Sequence, residues 1–272
     1  MIKAVFLDID GTIISIKKHT VPDSAREAIH RVRESGVKVF ICTSRAVQFL
    51  FNIGNIENDG IVCLTGAHCV GTDGRNIHCS VMDPGDIVAG VLDADAHGRP
   101  ILGLASDHIY VNIPDHPAVR FACSVGGFTP EEVACGYTPY PDFRSSDNPE
   151  ALADSLGIMS LTGYFPSGAE EERVMALMPH SHTDRWCEEF VDIVANGISK
   201  ADGIAQMGRH FGFDMSETMA VGDGANDISM LRAAGIGVAM GNASDKVKAA
   251  ADYVTDDVDD DGLSKALARF IS

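Results

Sequence analysis

AVFLDIDGTI, residues 4–13, drives a short apolar run into two aspartates, Asp8 and Asp10, with Gly11 and Thr12 directly behind them. Alternate residues of a strand share a face, so the two carboxylates stand side by side where the strand leaves its sheet. That is where open α/β sheets bind ligands. Glycine permits the sharp exit and lets a ligand approach the backbone. Adjacent carboxylates repel unless a cation lies between them or one keeps a proton. Taken alone, the pattern also fits an exposed turn with two solvated acids, so its meaning depends on the rest of the chain.

Downstream, DSAREAIHRVRESG sets Ala25, Ala28, Ile29 and Val32 on one helical face, with Asp23 placed to cap the helix and Gly36 to end it. VKVFICT reads as a strand, AVQFLFNI as a helix and GIVCLTG as a third strand, after which Asp73-Gly74 marks a hairpin. Strands alternating with helices imply a parallel sheet covered on both faces. From MDPGD, residues 82–86, the texture changes to Pro, Gly, His and Asp, with arginines but no lysine, a hairpin at ILGLASDHIYVN and a strand at IMSLTGYF. The alternation resumes with the strand FVDIVA, the helix KADGIAQMGRHF, the strand TMAVG and the helix DISMLRAA. The predicted fold is α/β: a doubly wound, Rossmann-like parallel-sheet core over 1–83 and 186–272, interrupted by an inserted α+β domain over 84–185.

A length of 272 residues with 45% hydrophobic content suffices for one large domain or two smaller ones. The net charge of −18 argues against nucleic acid or an acidic membrane surface as partner. An anionic substrate would therefore need positive charge concentrated locally. The apolar run before Asp8 is too short for a signal peptide, and no stretch approaches the ~18 apolar residues of a membrane span. Seven cysteines lack any Cys-x-x-Cys pair. Cys69 and Cys79 could meet across a hairpin, but small reduced thiols in a cytoplasmic protein are the plainer expectation.

AVGDGAND sets Asp223 at the end of another apolar strand, with Asn226 and Asp227 where a helix begins. Asp223 and Asp227 could converge with Asp8 on one hard cation. Carboxylates without His or Cys partners suit Mg²⁺ better than zinc. Sharing one such ion would keep the carboxylates of Asp8 and Asp223 within about 8 Å of each other. The competing reading, a dinucleotide loop, lacks the third glycine and would set an aspartate against a pyrophosphate. ICTSR ends a strand with Thr43, whose hydroxyl could hold a phosphate oxygen. GISKADGI puts Lys200 in the first turn of a helix capped by Ser199, where the dipole disfavours a cation and an anionic partner would favour one.

DIDGT, Thr43, Lys200 and GDGANDISML together resemble the four motifs of the haloacid dehalogenase superfamily. The closing run GVAMGNASDKVKAAADYVTDDVDDDG is similar to the Cof-type branch, in which a mixed α/β cap is inserted after the third core strand. The resemblance implies that Asp8 is the nucleophile, taking the phosphoryl group as an aspartyl phosphate, and Asp10 the general acid and then base. It implies Mg²⁺ on Asp8, the Asp10 carbonyl and Asp223, with Asp227 added or behind them. Thr43, Lys200 and Asn226 would hold the phosphoryl oxygens. Ion-pumping relatives carry Thr where this chain has Asp10, which points to ester hydrolysis or a mutase. The chain departs from the branch at Thr65-Gly66-Ala67, where relatives often read Asn-Gly-Ala; the change should touch the substrate pocket.

The expected activity is hydrolysis of a small phosphorylated metabolite, a sugar phosphate first, with the cap excluding water and selecting the leaving group. A phosphosugar mutase would need a second phosphate held in a segment, 85–185, that carries fifteen acidic and five basic residues. A non-enzymatic phosphoacceptor would be much shorter. DVDDDG, residues 257–262, lacks the closing acid of a calcium loop, since Ala268 stands where Glu is required. His180 and His182 have no evident third ligand, and Trp186 is expected to pack. Oligomeric state is not legible.

Overall fold

The structure, a computed structural model, describes residues 1–54, 56–133, 135–185 and 188–271. Trp186 and Cys187 lie outside the described residues. The elements run β1 (Ala4–Leu7), α1 (Asp23–Glu34), β2 (Lys38–Cys42), β3 (Gly60–Cys63), β4 (His68–Gly71) and β5 (Asn76–Cys79). Next come α2 (Pro84–Ala96), β6 (Ile101–Leu104), β7 (Ile109–Val111), α3 (Pro117–Val125), β8 (Thr138–Pro139), α4 (Pro149–Asp154), β9 (Ser160–Gly163), α5 (Ala169–Met175), β10 (Ser181–Asp184) and β11 (Val191–Ala195). The chain closes with α6 (Lys200–Phe211), β12 (Thr218–Gly222), α7 (Ile228–Ala233), β13 (Ile236–Ala239), α8 (Asp245–Lys248), β14 (Tyr253–Val254) and α9 (Gly262–Phe270).

These elements form two compact units: Met1–Ser44, Ile53–His78 and Ser199–Ser272 in the first, Arg45–Asn52 and Cys79–Ile198 in the second. The division falls outside the expected borders of 84–185 on both sides and adds a short excursion after Ser44.

The first unit is the α/β core. Its sheet has the order β14-β13-β12-β1-β2-β3-β4-β5, parallel from β14 to β3 and closed by the antiparallel β4 and β5. Phe6, Phe40, Cys42 and Val62 pack with Ile204 and Met207 of α6 and Met230 and Leu231 of α7. The alternate residues Val5, Leu7, Val39 and Ile41 point to the other face, where α1 meets β2 and packs beside α9. Phe6 and Phe40 stack with ring centroids 4.8 Å apart, fixing the register of β1 on β2. The expected apolar face of α1 is buried as read. Asp23 lies inside the first turn and makes no capping bond; Pro22 precedes the helix instead.

The second unit is an α+β module whose sheet runs β10-β11-β9-β6-β7-β8, antiparallel except for β7 beside β8. Asp83 caps α2 by accepting from the N–H groups of Gly85 and Asp86, and Pro84 occupies the first helical position, so MDPGD is a helix start.

Two expectations are corrected. FVDIVA does not resume the core: β11 pairs antiparallel with β10 and β9. Only residues 185–190 separate β10 from β11, enough for a hairpin but not for the dozen or more residues of a parallel crossover. AVQFLFNI is no α-helix but two short 3₁₀ turns, Val47–Phe49 and Phe51–Ile53. Long-range partners override its helical period: Gln48 Nε2 donates to the carbonyls of Ala105 and Ser106, and Phe49 stacks on Phe128.

Candidate active site

The register of three parallel strands builds the site. Leu7 of β1 pairs with Val221 of β12 and Ile41 of β2. Asp8, Asp223 and Thr43 therefore emerge within a residue or two of one another at the same sheet edge. The Asp8 N–H continues the ladder to the Val221 carbonyl at 3.0 Å, and the Thr43 N–H does so to Val62 at 2.8 Å. Gly11 then turns the chain with φ +87°, and a Cβ there would lie 2.2 Å from Asp223 Oδ2. Only glycine fits between the two carboxylate-bearing segments.

Lys200 opens α6, where Ser199 accepts from the Asp202 N–H. The helix start is locked against the loop after β3: a Cβ on Gly66 would meet the Ser199 carbonyl at 2.0 Å, and one on Gly203 would meet Val62 at 2.4 Å. The Lys200 side chain is fully buried, and its Nζ donates to Asp8 Oδ1 at 2.6 Å and to Asp227 Oδ1 at 2.5 Å. The other oxygen of Asp227 accepts from the N–H groups of Asp223 and Gly224 at 2.9 and 2.8 Å. Both oxygens of Asp227 are thus engaged by protein donors, which makes it the brace between the helix lysine and the Asp223 turn. Asp8 Oδ2 meets no donor among the described residues.

One oxygen from each of Asp8, Asp223 and Asp227 lies within 4.8 Å of the others. Three carboxylates face one ammonium, so two negative charges stay uncompensated if all ionise. Burial, and next the Asp227 charge, push the Asp8 carboxyl well above the usual range despite Lys200. Burial and Asp227 likewise push Asp223 up to about 7, opposed by the Thr12 hydroxyl. Burial works against the Lys200 ammonium, but Asp227 and Asp8 outweigh it and hold its pKa high. A hard, oxygen-only donor set with surplus negative charge and a free Asp8 oxygen fits a divalent cation of the Mg²⁺ type.

Asp10 is half-buried in the turn after Asp8, where its backbone bridges to Ile14. Thr43 is buried, and its carbonyl accepts from the Thr65 N–H at 3.2 Å. Asn226 is half-buried in the 3₁₀ turn Ala225–Asp227, and its side chain makes no hydrogen bond among the described residues. The structure adds two partners that sequence reading left out. Thr12 Oγ1 donates to Asp223 Oδ1 at 3.2 Å, and Asn242 Nδ2 donates to Asp223 Oδ2 at 3.0 Å. VAMGNA shows a strand running toward Gly-Asn, but which strand lies beside it is not legible there.

The sequence matches the family of haloacid dehalogenase-like hydrolases across residues 5–267. The chain belongs to that family. The Bacillus subtilis (strain 168) protein named "Putative phosphatase YkrA" is 31% identical over 97% of this chain and 96% of its own length. The structure called HAD subclass IIB sugar phosphatase BT4131 is similar with a TM-score of 0.85, at 33% identity and 98% coverage of both chains. BT1666 from Bacteroides thetaiotaomicron gives a TM-score of 0.83 at 36% identity, covering 99% of this chain and 95% of that one. The chain is accordingly an enzyme, a haloacid dehalogenase-type phosphatase of subclass IIB. No helix among the described residues is long and apolar enough to cross a membrane.

Proposed function

We propose that the protein is a Mg²⁺-dependent phosphatase that hydrolyses phosphate monoesters of small metabolites, sugar phosphates first, through an aspartyl phosphate on Asp8. The observation that carries this reading is the pocket itself: Asp8, Asp223 and Asp227 gathered within 4.8 Å around the buried Lys200. The sugar-phosphatase neighbour BT4131 supports the substrate class. Cys42, Cys63, Cys79, Cys123 and Cys135 are free thiols, which fits a reducing cytoplasm.

Asp8 and Asp223, with the Asp10 carbonyl, would hold Mg²⁺, and Asp227 would stand behind them, bracing the Asp223 turn and Lys200. The bound ion would offset the repulsion between an anionic nucleophile and an anionic ester. One Asp8 oxygen attacks phosphorus and the ester P–O bond breaks; Asp10, protonated, gives its proton to the leaving alkoxide. Asp10, now a carboxylate, takes a proton from water as that water attacks the acyl phosphate, which frees Asp8 and inorganic phosphate. Lys200, Thr43 and Asn226 would hold the phosphoryl oxygens, which is the positioning this reaction chiefly requires.

The test is phosphate release over a panel of phosphorylated metabolites with Mg²⁺. Wild type is expected to turn over hexose phosphates, and Asp8→Asn to show no turnover above background on any of them. Full activity in Asp8→Asn would reject the nucleophile.

A further inference from the structure

Asn242 lies three residues past the end of β13, the strand beside β12, in a register that pairs Ala239 with Gly222. The chain is held tightly there: the Met240 N–H donates to the Gly222 carbonyl at 3.0 Å and the Gly241 N–H to the Asp256 carbonyl at 2.9 Å. A Cβ on Gly241 would meet the Asp257 nitrogen at 2.5 Å, so the strand end is pressed against the acidic segment that follows β14. From this edge Asn242 reaches three different segments. Its Nδ2 donates to the Gly11 carbonyl at 2.9 Å and to Asp223 Oδ2 at 3.0 Å, and its Oδ1 accepts from the Val258 N–H at 3.0 Å.

This use of the amide is complete. A primary amide offers two N–H donors and one carbonyl, and each has a partner here. The orientation is fixed by the partners, since the Val258 N–H needs an acceptor while Gly11 and Asp223 present only acceptors. With Thr12 on Oδ1, both oxygens of Asp223 are aimed by neutral donors, which orient the carboxylate without cancelling its charge. Cationic partners would instead compete with a bound metal. The same amide holds the carbonyl of Gly11, the residue whose missing side chain lets the Asp8 turn lie against Asp223.

We propose that Asn242 is a positioning residue for the divalent cation: it fixes the Asp223 carboxylate and the Gly11 turn relative to each other, and so sets the affinity of the site for metal. The inference rests on the Mg²⁺ reading above and adds a determinant outside the four motifs. Groups that orient metal ligands typically account for about 10–100-fold in metal affinity. Asn242 is exposed, so its replacement leaves the core intact.

The test uses the full chain stripped of metal with EDTA and titrated with MnCl₂, free Mn²⁺ being read by electron paramagnetic resonance with no substrate present. Asn242→Ala and Asn242→Leu, the second close to the native side chain in shape, are each expected to raise the Mn²⁺ dissociation constant by about tenfold or more. Their metal-free circular dichroism should match wild type, and at saturating metal the KM for substrate should stay unchanged. Wild type and both variants binding Mn²⁺ within twofold of one another would overturn the positioning role while leaving the metal reading intact. No Mn²⁺ binding by wild type would overturn the metal reading and this inference with it.

Discussion

Two clusters of acids in this protein satisfy the same distance criterion and do opposite things. In the first unit, Asp8, Asp223 and Asp227 bring one oxygen each within 4.8 Å; in the second, one oxygen each from Asp83 and Asp86 and a ring nitrogen of His180 lie as close. The second cluster is closed around its buried member, Asp86. Asp86 Oδ2 accepts from the His180 N–H at 3.0 Å and from Ser181 Oγ at 2.6 Å, and Asp83 accepts from two N–H groups at the start of α2. Asp86 is consumed in joining α2 to β10, and one oxygen of Asp83 in capping α2. The first cluster is open: an Asp8 oxygen lacks a donor among the described residues, and burial and mutual repulsion push Asp8 and Asp223 up. Proximity of carboxylates does not make a site. Surplus charge and unfilled acceptors do.

The largest expected effect comes from opening the first cluster further. Lys200→Met should lower kcat by at least about 10²–10³, since it removes the fixed positive charge at the reaction centre. It should also destabilise the metal-free protein by about 3–5 kcal/mol, because breaking a buried pair strands its partners. Urea unfolding in EDTA and again in MgCl₂ checks this, with Mg²⁺ restoring part of the loss. Unchanged stability in EDTA would mean that the pocket is not charge-strained.

Next in size is Asp86→Ala, expected to cost about 1–3 kcal/mol of stability by leaving the His180 N–H and the Ser181 hydroxyl without their acceptor. Asp86→Asn keeps an acceptor in place and should cost less. A change in phosphatase kcat at a temperature where both variants are folded would show that the second cluster is more than a joint.

The smallest effect belongs to a half-closed case. His68 is buried, its Nε2 bonds to Asn76 Oδ1 at 2.7 Å, and its Nδ1 has no partner among the described residues. Burial holds its pKa below the ordinary histidine value. The unfolded chain therefore takes up the proton first. The stability tied to neutral His68 is full above the unfolded pKa of about 6.5 and is lost as pH falls through the lower, folded value. Urea midpoints at pH 7.0 and 5.5 should fall less in His68→Gln than in wild type, and equal falls would remove His68 as the source.

The sequence revealed more of the open cluster than of the closed one. Asp8, Asp223 and Thr43 could be read because each ends an apolar run, and parallel strands of one sheet bring such ends together. The limits of α6 and β12 match the stretches KADGIAQMGRHF and TMAVG. Asn242 stayed hidden because its meaning depends on β13 lying beside β12, a register that no local pattern encodes. His180 was noted as a possible ligand, yet its partner Asp86 is 94 residues away in sequence, and that partner converts it to a helix joint. FVDIVA has the period of a buried strand, and that period is blind to which sheet the strand enters. Only the brevity of its connection to SHTD distinguishes the two choices.

The most direct test of the central claim is calorimetric titration of metal-free protein with MgCl₂, comparing wild type, Asp223→Ala and Asp86→Ala. The account predicts one saturable site in wild type, none in Asp223→Ala, and wild-type binding in Asp86→Ala at a temperature where that variant is folded. Binding that survives Asp223→Ala and disappears in Asp86→Ala would contradict it.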